Sequence, residues 1–322
     1  MRIVFMGTPG FAVPSLEALI RLHEKNTKLE IVAVYTQPDR PAGRGQKLTA
    51  SPVKQAAVSS GLKIVQPETL KTPSELRRFK DFNPDLAVVV AYGHILTREF
   101  LDAPTSGVWN VHASLLPRWR GASPIQAAIL HGDSESGVTL MEMAEGLDSG
   151  GVLLTKTVQL TATTATPELH DTLARLGAQC VEEGVTRLLH NGPWKAVVQD
   201  EARVTVAKKI RKEDGVLAPT DRAEAVERKV RAFQPWPGTV APIAGGTLKI
   251  LQTSIARGVL ETTPDAVNLQ PGVVAMISGR VYLGFSDRPL ELLTVQPEGK
   301  TAMAATDWFR GKSRDGQPLT WG

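Results

Sequence analysis

Three side chains have the types and spacing to carry acyl-transfer chemistry. Asn110 and His112 stand two residues apart in NVHASLLPRWRGASPI, which runs from Asn110 to Ile125. The apolar run Gly107 to Trp109 precedes them, so they close a strand, and a spacing of two puts both side chains on one face of it. Ser123 as N-cap and Pro124 at the first helical position then predict a helix start. An amide donor beside an imidazole suits a reaction in which a carbonyl oxygen gains negative charge. A third group must take or supply protons. Asp148 in GLDSG is the candidate, because it follows the apolar run Val138 to Met143 and sits between Gly146 and Gly150, where the backbone can turn tightly.

NVHASLLPRWRG followed by GLDSG resembles the folate-dependent formyltransferases, and in its length the tRNA-directed members of that family. The resemblance implies that Asn110, His112 and Asp148 are catalytic. It also implies that Ser114, Leu115, Leu116 and Pro117 border the folate. The co-substrate would be 10-formyltetrahydrofolate, and the acceptor the amine of initiator methionyl-tRNA.

These residues need a scaffold, and the chain around them supplies the pattern of one. Apolar runs at Arg2 to Met6, Ile31 to Tyr35, Lys63 to Val65 and Leu86 to Ala91 alternate with helical spacing at Val13 to Leu22, Val53 to Ser59 and Ser74 to Phe82. Continuous apolar strands separated by helices predict a doubly wound, mostly parallel α/β sheet covered on both faces. The first turn, GTPGFA, lacks the glycine spacing of a dinucleotide fingerprint, so a nicotinamide or flavin site is disfavoured. Tyrosine and glycine in Ala91-Tyr92-Gly93 close a strand at its C-terminal end, where open α/β sheets bind ligands, and neighbouring apolar side chains suit a pterin. His94 after this turn, like His131, His170 and His190, is given an ordinary structural role.

Between Tyr35 and Val53 lies TQPDRPAGRGQKLTASP, with no hydrophobic periodicity. A long exposed loop is expected there, and its Arg40, Arg44 and Lys47 suit phosphates. The formyltransferase resemblance implies that this loop enters the tRNA acceptor arm, with Arg44 as first contact. Family members of this type usually carry an acidic residue after the GTP turn, where this chain has Gly10.

A helix from Pro167 to Leu189 precedes a change of pattern near Arg203. The basic run Lys208, Lys209, Arg211 and Lys212 leads to a helix with Ala223, Val226 and Val230 on one face, then to short β-type segments at Leu248 to Leu251, Gly272 to Ile277, Arg280 to Phe285 and Leu290 to Val295. Two domains are predicted: 1–205 catalytic, and 206–322 a linker with a small β-barrel or sandwich. The resemblance makes the first Rossmann-like and the second an OB-like barrel that binds tRNA, with the four basic residues on the approach.

Composition agrees with two globular domains: 322 residues, 42% hydrophobic and 22% charged. From Val206 onward 16 Lys+Arg stand against 12 Asp+Glu, whereas the rest is balanced, so the net +4 lies in the C-terminal third. That favours a polyanionic partner. Cys180 is the single cysteine, falls in a helical pattern and is expected to be a buried thiol. With no signal peptide, no apolar run of membrane length, no metal-binding motif and no heptad array, a cytoplasmic, metal-free monomer is expected. Two other readings stay open on residues alone: a formyltransferase acting on a small amine, such as a nucleotide-linked amino sugar, and a non-catalytic RNA-binding protein on an enzyme fold.

Overall fold

A strand buried on both faces must be apolar at successive positions, and Arg2–Gly7 (β1) is buried from Ile3 to Gly7's neighbour Met6. The computed structural model describes residues 1–42, 45, 47–243, 245–255 and 269–321. The chain divides into two compact units, one of Met1–Pro124, Glu135–Gln159 and Leu169–Ala207, the other of Ile125–Ser134, Leu160–Glu168 and Lys208–Gly322.

In the first unit, β1 is followed by Glu30–Tyr35 (β2), Arg40–Ala42 (β3), Lys47–Thr49 (β4), Ile64–Val65 (β5), Leu86–Val90 (β6), Val108–His112 (β7), Arg120–Gly121 (β8), Glu135–Glu142 (β9), Val152–Gln159 (β10) and Val206–Ala207 (β11). Seven of these form one sheet in the order β10-β9-β7-β6-β1-β2-β5. From β7 to β5 all neighbours are parallel, while β9 runs antiparallel to β7 and β10 antiparallel to β9. The chain winds from β1 outward through β2 to β5, then returns to β6 on the other side of β1. The strand order reverses there, which opens a crevice at the C-terminal strand ends.

Helix starts follow local chemistry. Pro52–Ser59 (helix α1 here) begins with proline at its first position, and the Ser51 hydroxyl accepts the Lys54 amide. Pro73–Asp81 repeats the device with Thr72 and the Glu75 amide. Thr166–Asn191 (α2) runs 26 residues, slightly longer than its apolar periodicity predicts. Within the segment expected as an exposed loop, β3 and β4 pair as a short antiparallel hairpin, Arg40 opposite Thr49. The strand β10 was absent from the sequence-based assignment; beyond Leu154 its Thr155, Thr157 and Gln159 are exposed, so the apolar residues Val152 to Leu154 do not continue along it.

The second unit's C-terminal part is antiparallel. Thr239–Ile243, Gly246–Ser254, Pro289–Pro297, Arg280–Gly284, Val273–Ile277 and Leu319–Thr320 lie side by side in that order. A bridge between Ile243 and Trp321 joins the first strand to the end of the last, so the sheet closes on itself. Its interior holds Leu248, Ile250, Leu283, Leu292, Trp308 and Phe309, together with Val226 and Val230 from the helix Ala223–Ala232.

Candidate active site

The geometry begins with the two faces of β7. Trp109 and Val111 are buried on the side covered by α2, where a Cβ added at Gly177 would stand 2.8 Å from Val111 and one at Gly184 3.2 Å from Trp109. Glycine at both positions lets the helix approach that face closely. Alternation then sends Asn110 and His112 to the opposite face, at the C-terminal end of the strand.

His112 is 6% exposed, and its Nε2 lies 2.9 Å from the Trp119 carbonyl oxygen. A carbonyl only accepts, so Nε2 carries the hydrogen. Nδ1 faces Asp148 Oδ2 at 3.6 Å, longer than a hydrogen bond. Both ring nitrogens are therefore turned toward protein groups. The carboxamide of Asn110, by contrast, makes no hydrogen bond among the described residues, and the residue is partly exposed.

Asp148 has φ +46°, in the left-handed region. Aspartate tolerates that region better than most residues, but it still costs energy and marks a held conformation. Its Oδ2 accepts the Gly121 amide at 2.8 Å. Gly121 itself has φ +115°, and an added Cβ would meet the Ala207 carbonyl oxygen at 2.7 Å. Nearby, an added Cβ at Gly150 would fall 1.8 Å from the Glu142 carbonyl oxygen, so the GLDSG turn needs glycine at that position.

The Ser114 to Pro117 segment is braced from within. Ser114 Oγ donates to the Arg118 carbonyl at 2.6 Å, and Thr139 Oγ1 donates to the Ser114 carbonyl at 2.7 Å while accepting the Leu116 amide at 3.1 Å. Leu115 packs on Gly137, and the Pro117 carbonyl accepts the Thr205 amide at 3.4 Å. These contacts hold Trp119, at φ +63°, with its carbonyl against His112. At the end of β6, the neighbour of β7, Ala91 has φ +47° and Gly93 φ +88°. The Tyr92 ring turns into the core, and its carbonyl accepts from Thr8 and Gln37. Two apolar side chains nearby in sequence stay in solvent, Ile95 after this turn and Leu147 before Asp148.

Sequence reasoning missed three residues behind the Asp148 turn. Gln199 Nε2 donates to the carbonyls of Asp148 and Gly150, each at 2.8 Å, and its Oε1 accepts from Arg120 Nε at 3.0 Å. Arg120 also pairs with Glu201 at 2.7 Å. Arg120 lies inside the motif and could have been singled out as a cation next to glycine; Gln199 and Glu201 sit about 80 residues downstream with no local signal.

Of the basic residues expected to meet phosphates, Arg40, Lys47, Lys208, Lys209, Arg211 and Lys212 are all exposed. Arg44 lies outside the described residues. Among the described residues no cluster of three or more His, Cys, Asp or Glu could hold a metal ion, and no helix is long and apolar enough to cross a membrane. Cys180 is fully buried, and burial pushes its thiol up to about 11.

The formyl transferase family matches residues 1–185, and the formyl transferase C-terminal domain matches residues 209–313. A methionyl-tRNA formyltransferase from Stenotrophomonas maltophilia is 45% identical over 312 residues, covering 97% of this chain and 98% of the relative. The enzyme of the same name from Methylococcus capsulatus is 44% identical, covering 99% of each chain. Among solved structures, an N-formyltransferase from Helicobacter canadensis, in complex with folinic acid and dTDP-3-aminofucose, superposes with a TM-score of 0.64 at 16% identity, over 92% of this chain and 98% of that one. At that identity the likeness speaks for the fold.

Proposed function

The chain belongs to the formyltransferase family, and from that premise we propose how its residues share the work. The reaction moves a formyl group from 10-formyltetrahydrofolate to the α-amino group of methionyl-tRNA, giving N-formylmethionyl-tRNA for translation initiation. The observation that supports the assignment best is the carboxamide of Asn110, without a hydrogen bond among the described residues, on the same strand face as His112, whose Nδ1 faces Asp148 at 3.6 Å.

When the amine attacks, a carbon–nitrogen bond forms and the formyl oxygen gains charge. Asn110 donates a hydrogen bond to that oxygen. The proton released from the attacking nitrogen passes to Asp148, directly or through water, and returns to the folate nitrogen as its bond to the formyl carbon breaks. His112, with Nε2–H anchored on the Trp119 carbonyl, offers Nδ1 to the same carboxylate and balances its charge when protonated. To donate through Nε2 to the oxyanion instead, the ring would have to leave the Trp119 carbonyl. For the folate, the exposed side chains of Ile95 and Leu147 and the Ala91 to Gly93 turn fit a flat, apolar-faced pterin. Ser114 to Pro117 act as the brace beneath it.

Arg40, Arg44 and Lys47 in the segment after β2 and the run Lys208, Lys209, Arg211 and Lys212 contact tRNA phosphates. The C-terminal barrel binds tRNA as an OB-like module, and the enzyme works in the cytoplasm as a monomer. Formyl transfer measured side by side on methionyl-tRNA, free methionine and a nucleotide-linked amino sugar tests this reading. Transfer to methionyl-tRNA alone is expected; preference for the amino sugar would overturn it.

A further inference from the structure

We propose that Gln199 is a positioning residue for the reaction, holding the Asp148 turn in the conformation that brings its carboxylate to His112. The proposal rests on the reading of Asp148 as the proton-handling carboxylate.

Gln199 is 6% exposed and lies in the segment after α2, which is docked beside the turn by paired backbone bonds between Val152 and Val197, each 2.8 Å. One amide nitrogen has two hydrogens, and here each meets a carbonyl, one of Asp148 and one of Gly150, on either side of Ser149. The amide oxygen faces Arg120, which can only donate, so the orientation of the carboxamide is set from both ends. Arg120 is buried, and its remaining nitrogens reach the carboxylate of Glu201 at 3.2 and 2.7 Å in a two-point contact. Arg120 is also covalently joined to Gly121, whose amide holds Asp148 Oδ2.

These links close a ring. It runs from the Asp148 backbone through Gln199 and Arg120 to Gly121, and from there back to the Asp148 carboxylate. A residue at φ +46° keeps that conformation only when its surroundings over-determine it, and the ring is what does so here. Tertiary structure spends two buried polar side chains on one turn, and neither Gln199 nor Arg120 touches the reacting face of β7 in any contact seen here. Their role is to set the distance between Asp148 and His112.

Gln199→Met keeps the side-chain length and removes the amide. It is expected to lower kcat about a hundredfold, the effect of displacing a catalytic group by about 1 Å, with KM for both substrates unchanged. A merely structural role would lower stability without that split. In an Asp148→Asn background, Gln199→Met should add no further loss, because groups that act as a unit are not additive. Steady-state formyl transfer against each substrate in the full-length single and double variants reads both quantities. Wild-type kcat in Gln199→Met, or losses that multiply in the double variant, would overturn the proposal. Near-normal turnover in Asp148→Asn alone would instead overturn the reading of Asp148, and the proposal with it. Should Gln199→Met fail to fold, the exposed Glu201 serves: Glu201→Ala loosens Arg120 from outside, should lower kcat, and should again add nothing to Asp148→Asn. Unchanged kcat there overturns the proposal equally.

Discussion

Asp148 Oδ2 faces His112 Nδ1 at 3.6 Å and accepts the Gly121 amide hydrogen at 2.8 Å, so one oxygen serves both the imidazole and the backbone brace. The backbone bond is the shorter, and it is the one that sets where the carboxylate stands.

Gly121→Ala should therefore damage stability and turnover together. The added methyl would meet the Ala207 carbonyl oxygen at 2.7 Å, at a φ of +115° that alanine disfavours. A loss of roughly 1–3 kcal/mol in unfolding free energy is expected from such backbone strain, read by urea denaturation, with a fall in kcat. Unchanged stability and turnover would show that the Gly121 amide does not position Asp148.

Asn110→Ala removes the donor assigned to the developing oxyanion. Turnover should drop by roughly two to three orders of magnitude, as for loss of one oxyanion donor, while thermal unfolding stays close to wild type. The side chain makes no internal hydrogen bond among the described residues, so little stability depends on it. Near-normal kcat would remove Asn110 from the mechanism.

The basic residues can be tested through salt. Neutralising a phosphate releases counterions, so each true contact contributes about 0.7–0.9 to the slope of log affinity against log salt. Lys208→Ala and Lys209→Ala should each weaken tRNA binding and flatten that slope, and leave KM for the folate unchanged. An unaltered slope would assign these exposed lysines to solubility alone.

At the foot of the β3–β4 hairpin, Lys54 donates to Asp39 at 2.6 Å and Gln66 donates to the other carboxylate oxygen at 2.8 Å. The Lys54 hydrogen bond, then that of Gln66, holds the Asp39 carboxyl below its ordinary value. A carboxyl depressed in the folded state adds stability above its unfolded value of about 3.9, and that contribution is lost as pH falls through the folded value. Lys54→Met should thus be less stable than wild type at neutral pH, and the difference should shrink below the ordinary carboxylate range. Denaturation curves at pH 7 and in acid measure it; a difference independent of pH would deny Asp39 this role.

Much of this protein was legible along the chain. Continuous apolar runs and proline-led helix starts specify buried parallel strands and their helices, because burial on both faces leaves no room for polar residues. A spacing of two put Asn110 and His112 on one face of a strand, and glycines around Asp148 marked a tight turn, since those features depend only on local backbone geometry. Strand β10 and the hairpin at Arg40 were not visible, because their pairing is decided by partners distant in sequence. Tertiary structure alone decided that His112 gives Nε2 to Trp119 and turns Nδ1 to Asp148, and that Gln199, Arg120 and Glu201 stand behind that carboxylate. Hydrogen bonds spanning some 50 to 80 residues leave no periodicity to detect; only the folded chain brings their ends together.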